Sequence, residues 1–177
     1  MRKVLKLLAL TAGVLATWLS AAGAAQTQAE DKAVTENRAR AERGAADAQY
    51  ALGWMYLTGQ GVPQDDVQAA AWYRKAAEQG AARAQGNLGW MYATGRGVPR
   101  SSVEAHKWMN LAASRAAGED QKKFAEMRDA LATKMTPDEL AEAQKRAQAW
   151  AAAFGRQQKK QGSRPLRAPG MSDTGRW

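Results

Sequence analysis

The sequence contains no cysteine and a single histidine, His106. Without thiols there is no disulfide, no thiolate metal site, no cysteine nucleophile and no lipid-modified cysteine, so stability must come from packing alone. One histidine, flanked by Lys107 and Trp108, cannot assemble a zinc site of the usual kind. On a helix it reads as a surface or interface residue. Phenylalanine is nearly absent too, and the apolar share is inflated by alanine, which suits tightly stacked helices. No apolar run reaches the roughly 20 residues of a membrane-spanning helix.

The apolar run nearest that length is at the start, where Arg2, Lys3 and Lys6 precede an uncharged stretch from Leu7 to Leu19 and then small residues around Ala22 to Ala25. These are the three parts of a secretory signal peptide, so residues 1–25 are expected to be removed and the mature chain to be periplasmic or secreted, without a stable membrane anchor.

A concentrated basic patch is also missing. The formal charge is +9, but three cations belong to the leader, and residues 155–177 hold six against Asp173. That leaves 17 basic and 16 acidic residues between Gln26 and Phe154. Nucleic-acid binding requires cations gathered on the fold, so a nucleic-acid partner is not expected. The basic tail reads as disordered and solubilising, with weak contact to anionic envelope as its other reading.

What is present is an internal repeat. GAADAQYALGWMYLTGQGVPQDDVQAAAWYRKAAEQG at 44–80 returns 36 residues later as GAARAQGNLGWMYATGRGVPRSSVEAHKWMNLAASRA. A fixed period of this size marks a solenoid, whose units bury their apolar faces only by stacking. Ala48, Leu52, Met55 and Tyr56, and again Ala69, Trp72, Tyr73, Ala76 and Ala77, recur at three- and four-residue steps, so each unit holds two amphipathic helices. Gly59 and Gly95 suit a left-handed helix end, and Pro63 and Pro99 stop the first helix. Asp65 with Gln68, and Ser101 with Glu104, have capping-box spacing. Gly53 and Gly89 lie inside helices, where glycine costs about 1 kcal/mol relative to alanine, and imply close approach of a partner helix.

The flanks complete an array that two units alone would leave short. ENRARAERG aligns with WYRKAAEQG without its aromatics, giving a polar lead-in and N-terminal capping helix within residues 26–43. After Gly118 the period is expected to stop. Phe124, Met127, Leu131 and Met135 form one helical stripe. Thr136, Pro137 and Glu139 begin another helix, with Leu140, Ala143, Ala147, Trp150 and Phe154 as its seam. Both are expected to close the open end of the array over residues 117–154, leaving 155–177 as the tail.

The motifs AxxxLGxxY, GxGV and AxxWYxxAAxxG, at matching places in residues 44–79 and 80–116, resemble the Sel-one-like repeat (SLR) family of the tetratricopeptide superfamily. Met109 in place of Tyr73, and Arg115-Ala116 in place of Gln79-Gly80, depart from the pattern in the second copy. The resemblance implies an all-α, right-handed helical-repeat solenoid with flanking capping helices. Its first helices line a concave surface, and its role is that of a non-enzymatic scaffold or adaptor for a protein or peptide.

By position, the resemblance places ligand contacts at Asp47, Tyr50, Trp54, Leu57 and Thr58, and at Arg83, Gly86, Trp90, Ala93 and Thr94. Helical geometry agrees for Trp54, which falls roughly 200° from Leu52. Whether Trp54 and Trp90 stand in the groove or pack against neighbouring helices stays open at this level. Trp72, Tyr73, Trp108 and Trp150 read as core. The acidic pairs Asp65-Asp66 and Asp138-Glu139 sit at helix starts, where they offset the helix dipole. No catalytic residue, cofactor or metal is therefore expected. The other functional reading is an envelope protein that recognises peptidoglycan fragments or a related small ligand.

Overall fold

The computed structural model describes residues 32–162. Among them are seven helices and no strand: α1 (32–42), α2 (Ala46–Thr58), α3 (Asp66–Glu78), α4 (Ala82–Thr94), α5 (Ser102–Arg115), α6 (Gly118–Ala132) and α7 (Pro137–Gly162). The first helices α2 and α4 pack against α3 and α5 of their own units, and α3 packs against α4 between units. The chain is an all-α helical-repeat solenoid. The expected leader at 1–25, the start of the expected lead-in at 26–31 and the expected tail beyond 162 lie outside the described residues.

The turns follow from their residues. Gly59 and Gly95 have φ of +74° and +76°, and their N–H groups donate to the carbonyls of Met55 and Met91. Asp65 caps α3 by accepting from the N–H groups of Val67 and Gln68, and Ser101 accepts from that of Glu104. The return half of the expected capping boxes is absent from these bonds. The cap residues' own N–H groups donate instead to Tyr56 O and Tyr92 O, at 2.9 and 3.0 Å. Glu104 is thereby released for Lys107 and Arg146. At Thr136 the box is complete, with Thr136 N donating to Glu139 Oε2 at 2.9 Å and Glu139 N to Thr136 Oγ1 at 3.3 Å.

Gly53 and Gly89 allow the expected close approach. A Cβ on Gly53 would lie 2.8 Å from the Tyr73 ring, and one on Gly89 would lie 2.9 Å from Met109 and 3.1 Å from the Ala105 carbonyl. Tyr73, Leu52, Leu88 and Met91 are fully enclosed.

The repeat's sequence signature ends before Gly118, but its helix register runs on. Helices α2, α4 and α6 begin at 46, 82 and 118, and the buried series Leu52, Leu88 continues into Phe124. Met55 and Met91 likewise continue into Met127. A side-chain bond across 18 residues marks the same register: Arg38 to Tyr56 Oη at 3.0 Å, Arg74 to Tyr92 Oη at 2.7 Å, and Arg128 to Asn110 Oδ1 at 3.3 Å. In the third case donor and acceptor exchange places. Helix α6 is thus a third first helix whose signature residues have been replaced, and α1 is a lone second helix packed on α2 through Ala41.

Helix α7 departs from the expected end cap. It packs along α5 instead of α6. Trp150 meets Trp108 edge-on at 6.0 Å and stacks on Phe154 at 4.8 Å. Arg115 lies over both Trp150 and Phe154, at 5.0 and 4.3 Å, and Arg146 Nη1 reaches Glu104 Oε1 at 2.8 Å. The Phe154 ring ends against Gly80, at the turn between α3 and α4. The helix also runs on past Phe154 to Gly162, where disorder was expected. The residues after Gly155 explain this. Gln157, Gln158, Lys159 and Lys160 are helix formers, and cations in a last turn favour the helix dipole. Trp72 and Trp150, read as core, are each half-buried.

Candidate functional site

The expected ligand positions all lie on the first helices, and their surroundings differ sharply between the two repeats. On α2, Asp47, Tyr50 and Trp54 follow at three- and four-residue steps and share one face. Asp47 is exposed and paired with Arg40 of α1. Backbone hydrogen bonding at Ala48 and the Arg40 guanidinium hold its carboxyl below the usual range. Tyr50 is half-buried, its ring 5.7 Å from that of Tyr73. The Tyr73 hydroxyl is enclosed, and burial pushes its ionisation upward. Trp54 is 44% exposed. Leu57 turns partly into the core, and the Thr58 hydroxyl donates back to Trp54 O at 2.9 Å.

On α4 the same positions are largely taken up by the chain itself. Arg83 is exposed and donates to Asp120 of α6 at 2.7 Å. Gly86, which corresponds to Tyr50, was expected to face ligand; it is buried beneath Phe124 of α6. Trp90 is half-buried against the core, with the Arg96 guanidinium 5.3 Å from its ring. Arg96 is held by both oxygens of Asp66, at 2.9 and 2.6 Å. Ala93 is half-buried, and the Thr94 hydroxyl donates to Trp90 O at 2.9 Å.

Three of the expected residues converge. Asp47, Tyr50 and Arg83 line one open hollow of about 320 Å³, with Asp120 and alanines from the starts of the first helices. Trp54, Leu57, Thr58, Trp90 and Thr94 stand outside its walls. Asp120 as a wall of the hollow, and Phe124 as the ring that covers Gly86, do not follow from a reading that leaves α6 outside the period. The 36-residue step from Leu88 to Phe124 was the available signal.

The groups that bear chemistry elsewhere are occupied structurally. His106 is buried on the side of α5 that faces Arg128 and Asp129 of α6, and burial, followed by Arg128, lowers its pKa. Asp65 caps α3, Asp66 holds Arg96, and Glu139 completes the cap of α7. Among the described residues no three His, Asp or Glu side chains gather as a metal site, and no helix is long and apolar enough to cross a membrane.

The Sel1 repeat model matches residues 46–80 and 82–116. No curated protein matches the chain. Among solved structures, it is similar to a protective antigen of uropathogenic Escherichia coli strains that displays an SLR fold. The two are 37% identical with a TM-score of 0.64, over 83% of this chain and 31% of the other. It is also similar to a Sel1 repeat protein from Oxalobacter formigenes, at 33% identity and a TM-score of 0.51, over 56% of this chain and 41% of the other. The chain therefore spans well under half the length of either protein.

Proposed function

Because the chain carries two Sel1 repeats, and the starts of their first helices α2 and α4 line one hollow, we propose that it is a non-enzymatic scaffold. It binds a protein or peptide along its first helices. The observation that carries this reading is the stripe Asp47, Tyr50 and Trp54, which leaves a large aromatic ring exposed on the helix face whose Asp47 and Tyr50 line a hollow walled mainly by alanine. Aromatic side chains beside an apolar recess are the usual anchors of protein interfaces.

The usable surface is short. Phe124 fills the second-repeat position at Gly86, so the open aromatic stripe belongs to the first repeat and, with the hollow that Tyr50 lines, suits one peptide segment or one helix. The absence of chemistry is part of the same proposal. It is supported by the enclosure of His106 and by the structural use of Asp65, Asp66 and Glu139.

Export to the periplasm is also proposed, and rests on the composition of residues 1–25. Cell fractionation of the full chain against one lacking those residues tests it; equal distribution of the two would count against export. The binding surface is tested by placing the photo-crosslinker benzoylphenylalanine at Trp54 and, as a control on another face, at exposed Gln148 of α7. Protein adducts specific to the Trp54 position are expected. Equal adducts at both positions, or none, would sink the reading.

A further inference from the structure

Five tryptophans lie among the described residues, and four of them carry a cation over the ring. Lys75 Nζ is 3.8 Å from the Trp72 ring and Lys107 Nζ is 4.3 Å from that of Trp108. The guanidinium of Arg96 is 5.3 Å from Trp90, and that of Arg115 is 5.0 Å from Trp150. Trp54 has no such cation among the described residues, and it is the most exposed of the five.

The internal repeat says what is missing. Trp54 corresponds to Trp90, and the residue corresponding to Arg96 is Gln60, in the same turn after the first helix. An amide cannot supply the positive charge that an indole face attracts. In the second repeat the chain provides the guanidinium itself; in the first the ring is presented without one. Charge does not separate the two stripes: Asp47, the one charged residue of α2, is paired with Arg40, and Arg83, the one charged residue of α4, with Asp120, so the difference lies at the tryptophan ring itself.

We propose that Trp54 is the docking point for an arginine side chain of a partner polypeptide, which lies over the open indole as Arg96 lies over Trp90. The inference rests on the scaffold reading above and names the chemistry of the partner it binds. Arginine is favoured over lysine because its planar guanidinium stacks on an aromatic face while its N–H groups stay available for other acceptors.

The test is selection of displayed random linear peptides on the full chain, followed by affinity measurements on the recovered sequences. The recovered peptides are expected to share an arginine. Its replacement by citrulline, which keeps the shape and removes the charge, should weaken binding at least about fivefold. Trp54→Ala should weaken it at least as much, and Trp54→Phe less. Gln60→Arg removes nothing from the core, and it should also weaken binding because it supplies a competing cation from within.

Peptides that need Trp54 but carry no shared cation would overturn the arginine inference and leave the scaffold reading intact. Arginine peptides indifferent to Trp54→Ala and Gln60→Arg would overturn it as well. Recovery of no peptide at all would overturn both readings.

Discussion

Phe124 of α6 sits on Gly86 of α4, at the position where the first repeat carries Tyr50. The missing side chain in the second repeat and the added ring from the next helix are complementary. Tyr50 stays half-buried beside the hollow, whereas Phe124 is only 5% exposed. The second repeat thus binds its own continuation where the first is left open.

Gly86→Ala tests that complementarity. In an isolated helix alanine is favoured by about 1 kcal/mol over glycine, so an unconstrained site would gain stability. Here the added methyl overlaps the Phe124 ring, and forced repacking costs about 1–3 kcal/mol. The expected outcome is faster amide exchange in α6, with α2 and α3 unchanged. Phe124→Ala should cost about 3–5 kcal/mol in chemical denaturation. The double variant should lose less than the sum of the two, since they share one contact.

Gly53→Leu should be more damaging than most exposed substitutions. Its Cβ alone would lie 2.8 Å from the Tyr73 ring, which is fully buried and has little room to withdraw. A loss of at least about 2 kcal/mol is expected in urea unfolding, without a change in slope if the fold is kept. An effect of a few tenths would mean that α2 and α3 do not approach as described.

Most of the helical plan was legible because the repeat repeats its chemistry. Two copies of one pattern identify the glycines at helix ends, the caps and the buried leucines. Helix α6 was obscured because its aligned residues keep their places in the register but not their identity: Leu88 becomes Phe124, Gly89 becomes Ala125, and Tyr92 becomes Arg128. Nor did the sequence reveal that α7 would choose α5. That choice depends on Arg115, Trp108, Trp150 and Phe154 meeting in space, and no fixed spacing encodes it. Among the candidate site residues, the stripe on α2 was readable from helical steps. The filling of its counterpart on α4 was not, because it depends on where α6 comes to rest.

His106 should make stability fall in mildly acidic solution. Burial, and then the nearby Arg128, depress its folded-state pKa below the ordinary 6.5, with Asp129 acting weakly in the opposite sense. The unfolded chain therefore binds the proton more readily. This contribution to stability is complete above about pH 6.5 and is lost as pH falls through the depressed value, by up to about 1.4 kcal/mol per pH unit. Denaturation midpoints measured from pH 7.5 to 5 should fall more steeply for the natural chain than for His106→Gln. Parallel curves would show that His106 does not titrate differently in the two states.

Arg115→Gln separates two jobs that the repeats assign to one position. In the first repeat Gln79 Nε2 donates to Gln49 Oε1 at 2.7 Å, while Gln49 Nε2 donates to Ala41 O. In the second, Gln85 Nε2 donates to Ala77 O in the same way, but its buried Oε1 has no partner. The residue corresponding to Gln79 is Arg115, and its guanidinium has turned to the rings of Trp150 and Phe154. Glutamine at 115 should restore the missing bond, worth about 0.5–1.5 kcal/mol, and remove the clamp on α7. Amide exchange should then slow at the start of α4 and accelerate in α7 beyond Ala147. Slower exchange in both would mean that α7 is held by Trp108 and Glu104 without help from Arg115. Faster exchange in both would mean that the buried Gln85 carbonyl does not need the partner its repeat equivalent has.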